Sequence, residues 1–260
     1  DMPTLTLVQA VNDALKTAMR ADPSVVVLGE DVGPKGGVFL ATEGLTAEFG
    51  EQRCFDTPLS EDGIIGTAVG AAMSGRRPVA EIMYVDFTPL AMDQIANQGA
   101  KNRYMFGGKT TVPMVIRTEG GAGRSIAAHH SQSLEALWTH FPGIYVVMPS
   151  TPYDAKGLFK TAVRSDDPVF FLEHKGLLST KGPVPEEEYL MKFGFFLEAL
   201  GYGPLAASDN CGEVFIQSEN PFRFLLPYID AAMGQGLLPV RLHIRTMPAL
   251  LVRHRHVVEQ

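Results

Sequence analysis

Apolar residues along this chain keep switching between two spacings. From Thr6 to Arg20, Leu7, Val8, Val11, Leu15 and Met19 recur every three or four positions and Asp22-Pro23 closes the stretch, which predicts a helix. Directly behind it "SVVVLG", Ser24 to Gly29, is a short β-branched run ending in glycine, as in a strand buried on both faces. The two periods then repeat. Strands are expected near Arg53 to Asp56 and at Arg77 to Tyr84, Val112 to Arg117, Ile144 to Pro149 and Pro168 to His174. Helices are expected from Asp62, from Thr88 to about Tyr104, near Ser133 to Trp138, and from Tyr153 to Val163. Such alternation means an α/β fold, a parallel sheet with helices on both faces. Ligands of these sheets sit beyond the carboxyl ends of the strands, which directs attention to Glu30, Asp56 to Glu61, Tyr84 to Phe87, and Glu119 to His130.

The pattern divides the chain. Residues 1–189 read as one α/β domain, followed through the Pro/Glu-rich "KGPVPEEEY" by an atypical segment, 190–260. Lysine disappears beyond Lys192, arginine continues, and His243, His254 and His256 gather there without a clear βα alternation. We expect that segment to be a truncated, frameshifted or otherwise altered second domain.

Composition narrows the function. A formal charge of -7 without a basic stripe argues against nucleic acid. Two cysteines, Cys54 and Cys211, make neither a disulfide framework nor a CxxC metal site. No apolar run reaches membrane-spanning length, and "DMPTLTLVQAV" lacks the order of a secretory signal, so a cytoplasmic protein is expected. Asp1 ahead of Met2 suggests that the start is a fragment.

The most unusual stretch is "DTPLSEDGIIGTAVGAAMSG", Asp56 to Gly75, where Glu61 and Asp62 precede a Gly/Ala-rich helix. On its own it reads as a helix start, with Ser60 as N-cap and two acids facing the positive helix end. "GGKT" at Gly107 to Thr110 resembles the end of a phosphate loop, but Arg103 stands where the leading glycine belongs and a helix precedes it. The glycine clusters at Gly33 to Gly37 and Gly120 to Gly123 read as flexible loops or as anion cradles. His129 and His130 are too close in sequence to converge on one metal, and a loop histidine suits proton transfer better. On their own, Met83 and Phe87 read as plain core. No Ser-His-Asp order with a nucleophile elbow occurs.

Five segments, "VLGEDV", "DTPLSEDGIIGTAVGAAMSGRRPVAEIMYVDF", "MDQIANQGAKNRYMFGGK", "AAHHSQSLEALWTHFPGIYVVMPSTPYDAKGL" and "DPVFFLEHK", together resemble the beta subunits of the thiamine-diphosphate-dependent 2-oxoacid dehydrogenases, with the pyruvate and acetoin types closest. The resemblance runs from about Leu5 to Tyr189 and implies a transketolase-like pyrimidine-binding domain. It also implies that Glu61 is the carboxylate hydrogen-bonded to the cofactor's aminopyrimidine, that apolar walls raise its pKa, and that Phe87 and Met83 flank that ring. By the same resemblance His130 acts on the acyl intermediate and the arriving lipoyl group, Glu30 lies near the cofactor, and Ala162, Ser165 and Asp167 lie at a potassium site built largely from carbonyl oxygens. No Gly-Asp-Gly motif is present, so the diphosphate and its Mg2+ are expected on an alpha subunit in an alpha2-beta2 heterotetramer. A lipoyl-bearing dihydrolipoyl acyltransferase core is the implied third partner. The alternative is a non-catalytic, degenerate relative that serves as a binding or assembly subunit.

Overall fold

The computed structural model describes residues 2–191 and 193, together with the backbone of 213–217 and 241–245. Among the described residues, eight parallel strands form the central sheet. Their chain order is β2 (Val25–Gly29), β3 (Cys54–Asp56), β4 (Arg77–Tyr84), β5 (Val115–Gly120), β6 (Tyr145–Met148), β7 (Val169–His174), β9 (Glu213–Gln217) and β10 (Arg241–Arg245), and across the sheet they run β10-β9-β6-β7-β5-β4-β2-β3. A separate antiparallel ribbon joins β1 (Thr4–Thr6) to β8 (Lys181–Pro183).

Helices cover both faces, as the alternation predicts. On one face α1 (Leu7–Ala21) and α6 (Pro152–Arg164) pack on Val25, Val27, Val79, Val115, Val169 and Phe171. On the other, α3 (Glu61–Met73), the helical stretch 85–105 and α5 (Glu135–Thr139) pack on Leu28, Ala80, Ile82, Ile116 and Phe170. Each central strand therefore buries alternate side chains in two different cores, which is why these strands read as continuous apolar runs. α1 starts as expected, with Thr6 and Gln9 exchanging the two bonds of a capping box.

Several boundaries differ from the sequence expectation for identifiable reasons. The expected helix from Thr88 to about Tyr104 begins with a 3₁₀ turn, Val85–Ala91, which accommodates Pro89; it continues through a π-helical turn, Gln94–Gly99, before α4 (Ala100–Met105). β5 begins at Val115, three residues later than expected, since Pro113 has no N–H to give to a ladder flanked on both sides. Ser60 occupies the cap position of α3, yet its hydroxyl makes no capping bond, so the simple helix-start reading of this stretch is incomplete. The ribbon between β1 and β8, and the short α2 (Leu45–Phe49), carried no sequence signal that we used.

After residue 190, β9 pairs in parallel with β6, and β10 with β9, extending the same sheet. His254 and His256 lie outside the described residues.

Candidate active site

Four loops at the carboxyl edge of the sheet bring the expected residues to one region. Glu30 directly follows β2; Glu61 opens α3 after β3; Met83 and Phe87 stand at and beyond the end of β4; and His130 ends a three-residue 3₁₀ turn, Ala128–His130, after β5. All five side chains are half-buried, and His129 beside them is exposed.

Local backbone features aim these groups. The pairing of β4 with β5 slips between Ile82 and Tyr84, so Met83 is the extra residue of a bulge, a device that re-aims a side chain at the end of a strand. Gly29, the last residue of β2, leaves no room for a side chain: a Cβ there would lie 2.7 Å from the Glu81 carbonyl oxygen. At Gly66 of α3 the fit is close but less strict, since a Cβ there would meet the mobile end of Gln94, Oε1, at 3.3 Å. The lean face of that helix thus sits against the π-helical turn.

Electrostatics link the two acids. Burial, then the negative charge of Glu61, then that of Asp31, push the Glu30 carboxyl above the usual carboxylate range. Asp31 itself is held at φ +57°, a left-handed conformation uncommon outside glycine. On the far side the rings interlock edge to face: Phe87 and His130 have centroids 5.5 Å apart, Tyr84 and His130 4.8 Å, and Tyr84 and Phe87 5.9 Å.

Beneath this region lies a group that the sequence reading missed. Arg117 is buried in the sheet and donates from Nε to Glu173 Oε1 at 2.6 Å, from Nη2 to Glu119 Oε1 at 2.6 Å and to Glu173 Oε2 at 3.0 Å, and from Nη1 to Glu81. One cation faces three buried carboxyl groups. Burial pushes Glu119 well above the usual carboxylate range against the pull of Arg117, and Glu119 Oε2 has no hydrogen-bond partner. The available signal was charge inside otherwise apolar strands, Glu81 in "AEIMY", Arg117 and Glu119 in "IRTEG" and Glu173 in "FFLEH".

The residues proposed for potassium lie apart from this edge, Ala162 in the last turn of α6 and Ser165 and Asp167 between α6 and β7. The Ala162 carbonyl accepts from Ser165 N, the Ser165 carbonyl from Arg77 Nη1 at 2.8 Å, and the Asp167 carbonyl from Ser165 Oγ at 2.9 Å. The Asp167 carboxylate pairs with Arg103 at 2.5 Å. Each of these oxygens is already in use, two of them by guanidinium groups. Among the described residues, no cluster of three or more His, Cys, Asp or Glu side chains could hold a metal ion.

Residues 4–181 match the family model of the transketolase pyrimidine-binding domain. The chain belongs to that family. Within it, the chain is 52% identical over 200 residues to the beta subunit of acetoin:2,6-dichlorophenolindophenol oxidoreductase of Cupriavidus necator, covering 73% of this chain and 59% of that protein. It is 52% identical over 194 residues to the pyruvate dehydrogenase E1 component subunit beta of Bacillus subtilis, covering 74% and 60% respectively. It is 50% identical to the 2-oxoisovalerate dehydrogenase subunit beta of the same organism over 74% and 59%. The chain thus spans about 60% of the length of these curated relatives. Among solved structures, a split-gene transketolase described as an inactive beta4 tetramer matches 73% of this chain and 56% of its own, with a TM-score of 0.54 at 21% identity, a likeness of fold. The matched residues 4–181 include the edge that holds Glu30, Glu61 and Phe87.

Proposed function

We propose that this chain supplies the aminopyrimidine half of the active site of a thiamine-diphosphate-dependent 2-oxoacid or acetoin dehydrogenase. The observation that carries this reading is the convergence of Glu61, Glu30, Met83, Phe87 and His130 on one edge of the sheet, with the charge of Glu61 felt at Glu30. A flat, weakly basic heterocycle fits the chemistry of that set: a carboxyl group at one end, an aromatic ring and a thioether as walls, and a histidine beyond. When bound, thiamine diphosphate supplies an electron sink for the carbanion left by cleavage of the substrate. Glu61 would hold the aminopyrimidine ring, its carboxyl group offering a hydrogen bond to a ring nitrogen, and so would support the acid-base chemistry that activates the cofactor. Phe87 and Met83 fix the plane of the ring and keep water from it, while Glu30 adds a second carboxyl group whose proton affinity is raised. His130 would serve as the proton-transfer group beside the acyl group during its transfer to a lipoyl sulfur.

The diphosphate and Mg2+ would be held by an alpha subunit in an alpha2-beta2 assembly, in line with the missing Gly-Asp-Gly motif. The acyl group would go to a lipoyl-bearing dihydrolipoyl acyltransferase core. Potassium at the Ala162 to Asp167 turn would have to share oxygens with Arg77 and Arg103, and no step runs through it. A cytoplasmic location accords with the finding that, among the described residues, no helix is long and apolar enough to cross a membrane.

Glu61→Gln in the complex with the alpha subunit tests the proposal, with an expected loss of about 10²- to 10⁴-fold in turnover. An unchanged rate refutes it. The second reading is a non-catalytic, degenerate relative that serves as a binding or assembly subunit. Failure to bind thiamine diphosphate after mixing with the alpha subunit would select that reading.

A further inference from the structure

Within the loop that carries His130, Ser131 Oγ donates to the Ala127 carbonyl at 2.7 Å, and two long bonds of 3.4 Å run from His130 N to the Ala127 carbonyl and from Ser131 N to the Ala128 carbonyl. The loop leaves β5 at Gly120, returns at Gln132, whose carbonyl accepts from Gly121 N at 2.8 Å, and includes Ser125 and Ala127 at φ +54° and +65°. No residue of its 3₁₀ turn is buried. Its charged contacts come from outside. In the sheet β5 lies between β4 and β7, and each of those neighbours sends one charged side chain to this loop.

From beyond β4, Asp86 Oδ1 accepts hydrogen bonds from Ser131 N at 3.2 Å and Gln132 N at 3.1 Å. From the end of β7, Lys175 donates through Nζ to the His130 carbonyl oxygen. That carbonyl and the Ser131 N–H belong to one peptide unit. A cation therefore meets its oxygen end and an anion its N–H end, which matches the peptide dipole on both sides. With both ends gripped the peptide plane cannot rotate, and the position of His130 relative to Tyr84 and Phe87 follows.

Lys175 is an expensive way to fill this space unless its charge is used. Its side chain is only 2% exposed, and burying an ammonium costs several kcal/mol. Burial pulls it below the usual lysine range, while Asp86 and Glu119 act to keep it charged and Arg124 acts the other way. Its Nζ lies 4.9 Å from the centroid of the Tyr84 ring, the same ring that packs on His130. The cation thus touches both the main chain of His130 and its aromatic neighbour.

We propose that Asp86 and Lys175 are positioning residues, a charge-complementary clamp on the 130–131 peptide that aims the His130 imidazole for the reaction. The proposal rests on the reading of His130 given above, and its test separates the two. In the alpha-beta complex, Asp86→Asn and Lys175→Met should speed hydrogen exchange of the 128–132 segment at least about tenfold, a readout that needs neither cofactor nor turnover. Both should lower kcat for lipoyl acylation by roughly 10²-fold, the usual consequence of a misplacement near 1 Å, with the substrate KM little changed. Lys175→Arg, which keeps a donor and a charge, should restore most of the loss and guards against a variant that merely misfolds. In a His130→Gln background the clamp variants should cost almost nothing further, since they act through that side chain. Equal losses with and without His130, or unchanged exchange at 128–132, overturn the clamp. Faster exchange together with a fully active His130→Gln enzyme would keep the clamp as a loop anchor and overturn both its catalytic purpose and the assigned role of His130.

Discussion

Replacing Arg117 with methionine tests the buried cluster beneath the site. Methionine fills much of the same volume, so the main change is the loss of one cation facing Glu81, Glu119 and Glu173, all at most 2% exposed. In the parent the guanidinium offsets one negative charge. In the variant at least one further carboxyl group must take up a proton to stay inside the sheet. Holding a carboxyl group protonated at about pH 7, when its ordinary value is 4.5, costs 2.5 units at about 1.36 kcal/mol each, or roughly 3 kcal/mol. That agrees with the ~3–5 kcal/mol found when one partner of a buried ion pair is removed. The sign is definite. A carboxyl group whose folded pKa lies above its unfolded value contributes stability below about pH 4.5 and loses that contribution as pH rises toward the folded value. The deficit of Arg117→Met should therefore be roughly 3 kcal/mol near pH 7 and shrink to under about 1 kcal/mol near pH 5. Urea unfolding of parent and variant at several pH values measures it. A deficit that does not change with pH would mean that lost packing, not lost charge compensation, is responsible.

Three further outcomes are expected. Glu30 should titrate closer to its ordinary value of 4.5 in Glu61→Gln, because the charge of Glu61 is one cause of its elevation; carboxyl carbon NMR reads this, and an unmoved midpoint would separate the two acids. Gly143→Ala should destabilise by at least about 2 kcal/mol, since φ is +97° and a Cβ would lie 2.1 Å from the Ala100 carbonyl oxygen; Gly75→Ala, at φ +91° with open space around it, should cost only about 1 kcal/mol, and equal thermal shifts would contradict the packing argument. Thr88→Val should cost about 1–3 kcal/mol by leaving the buried Trp138 Nε1 without its acceptor at 3.1 Å, and the fluorescence of this single tryptophan reports both the local change and the unfolding midpoint.

The primary sequence by itself determined the alternation of strands and helices, the parallel sheet and the edge where chemistry would sit. The reason is that a strand buried on both faces and a helix buried on one leave different apolar periods, and these depend only on neighbours along the chain. The loops that carry Glu30, Glu61 and His130 were legible for a related reason: connections leaving parallel strands fall at the carboxyl edge whatever the detailed packing, whereas the roles expected of these three residues came from the family resemblance. The bulge at Met83, the unused hydroxyl of Ser60 and the late start of β5 were not, because each depends on the register of a neighbouring strand or on the space between elements. The same holds more strongly for charge. Asp86, Arg117 and Lys175 are far apart in the chain and look like ordinary polar positions; only the order β4-β5-β7 sets Arg117 among three carboxyl groups and brings Asp86 and Lys175 to the two ends of one peptide. A buried ion is tolerable only beside its partner, and strand order, which local periodicity does not encode, decides which partner that is.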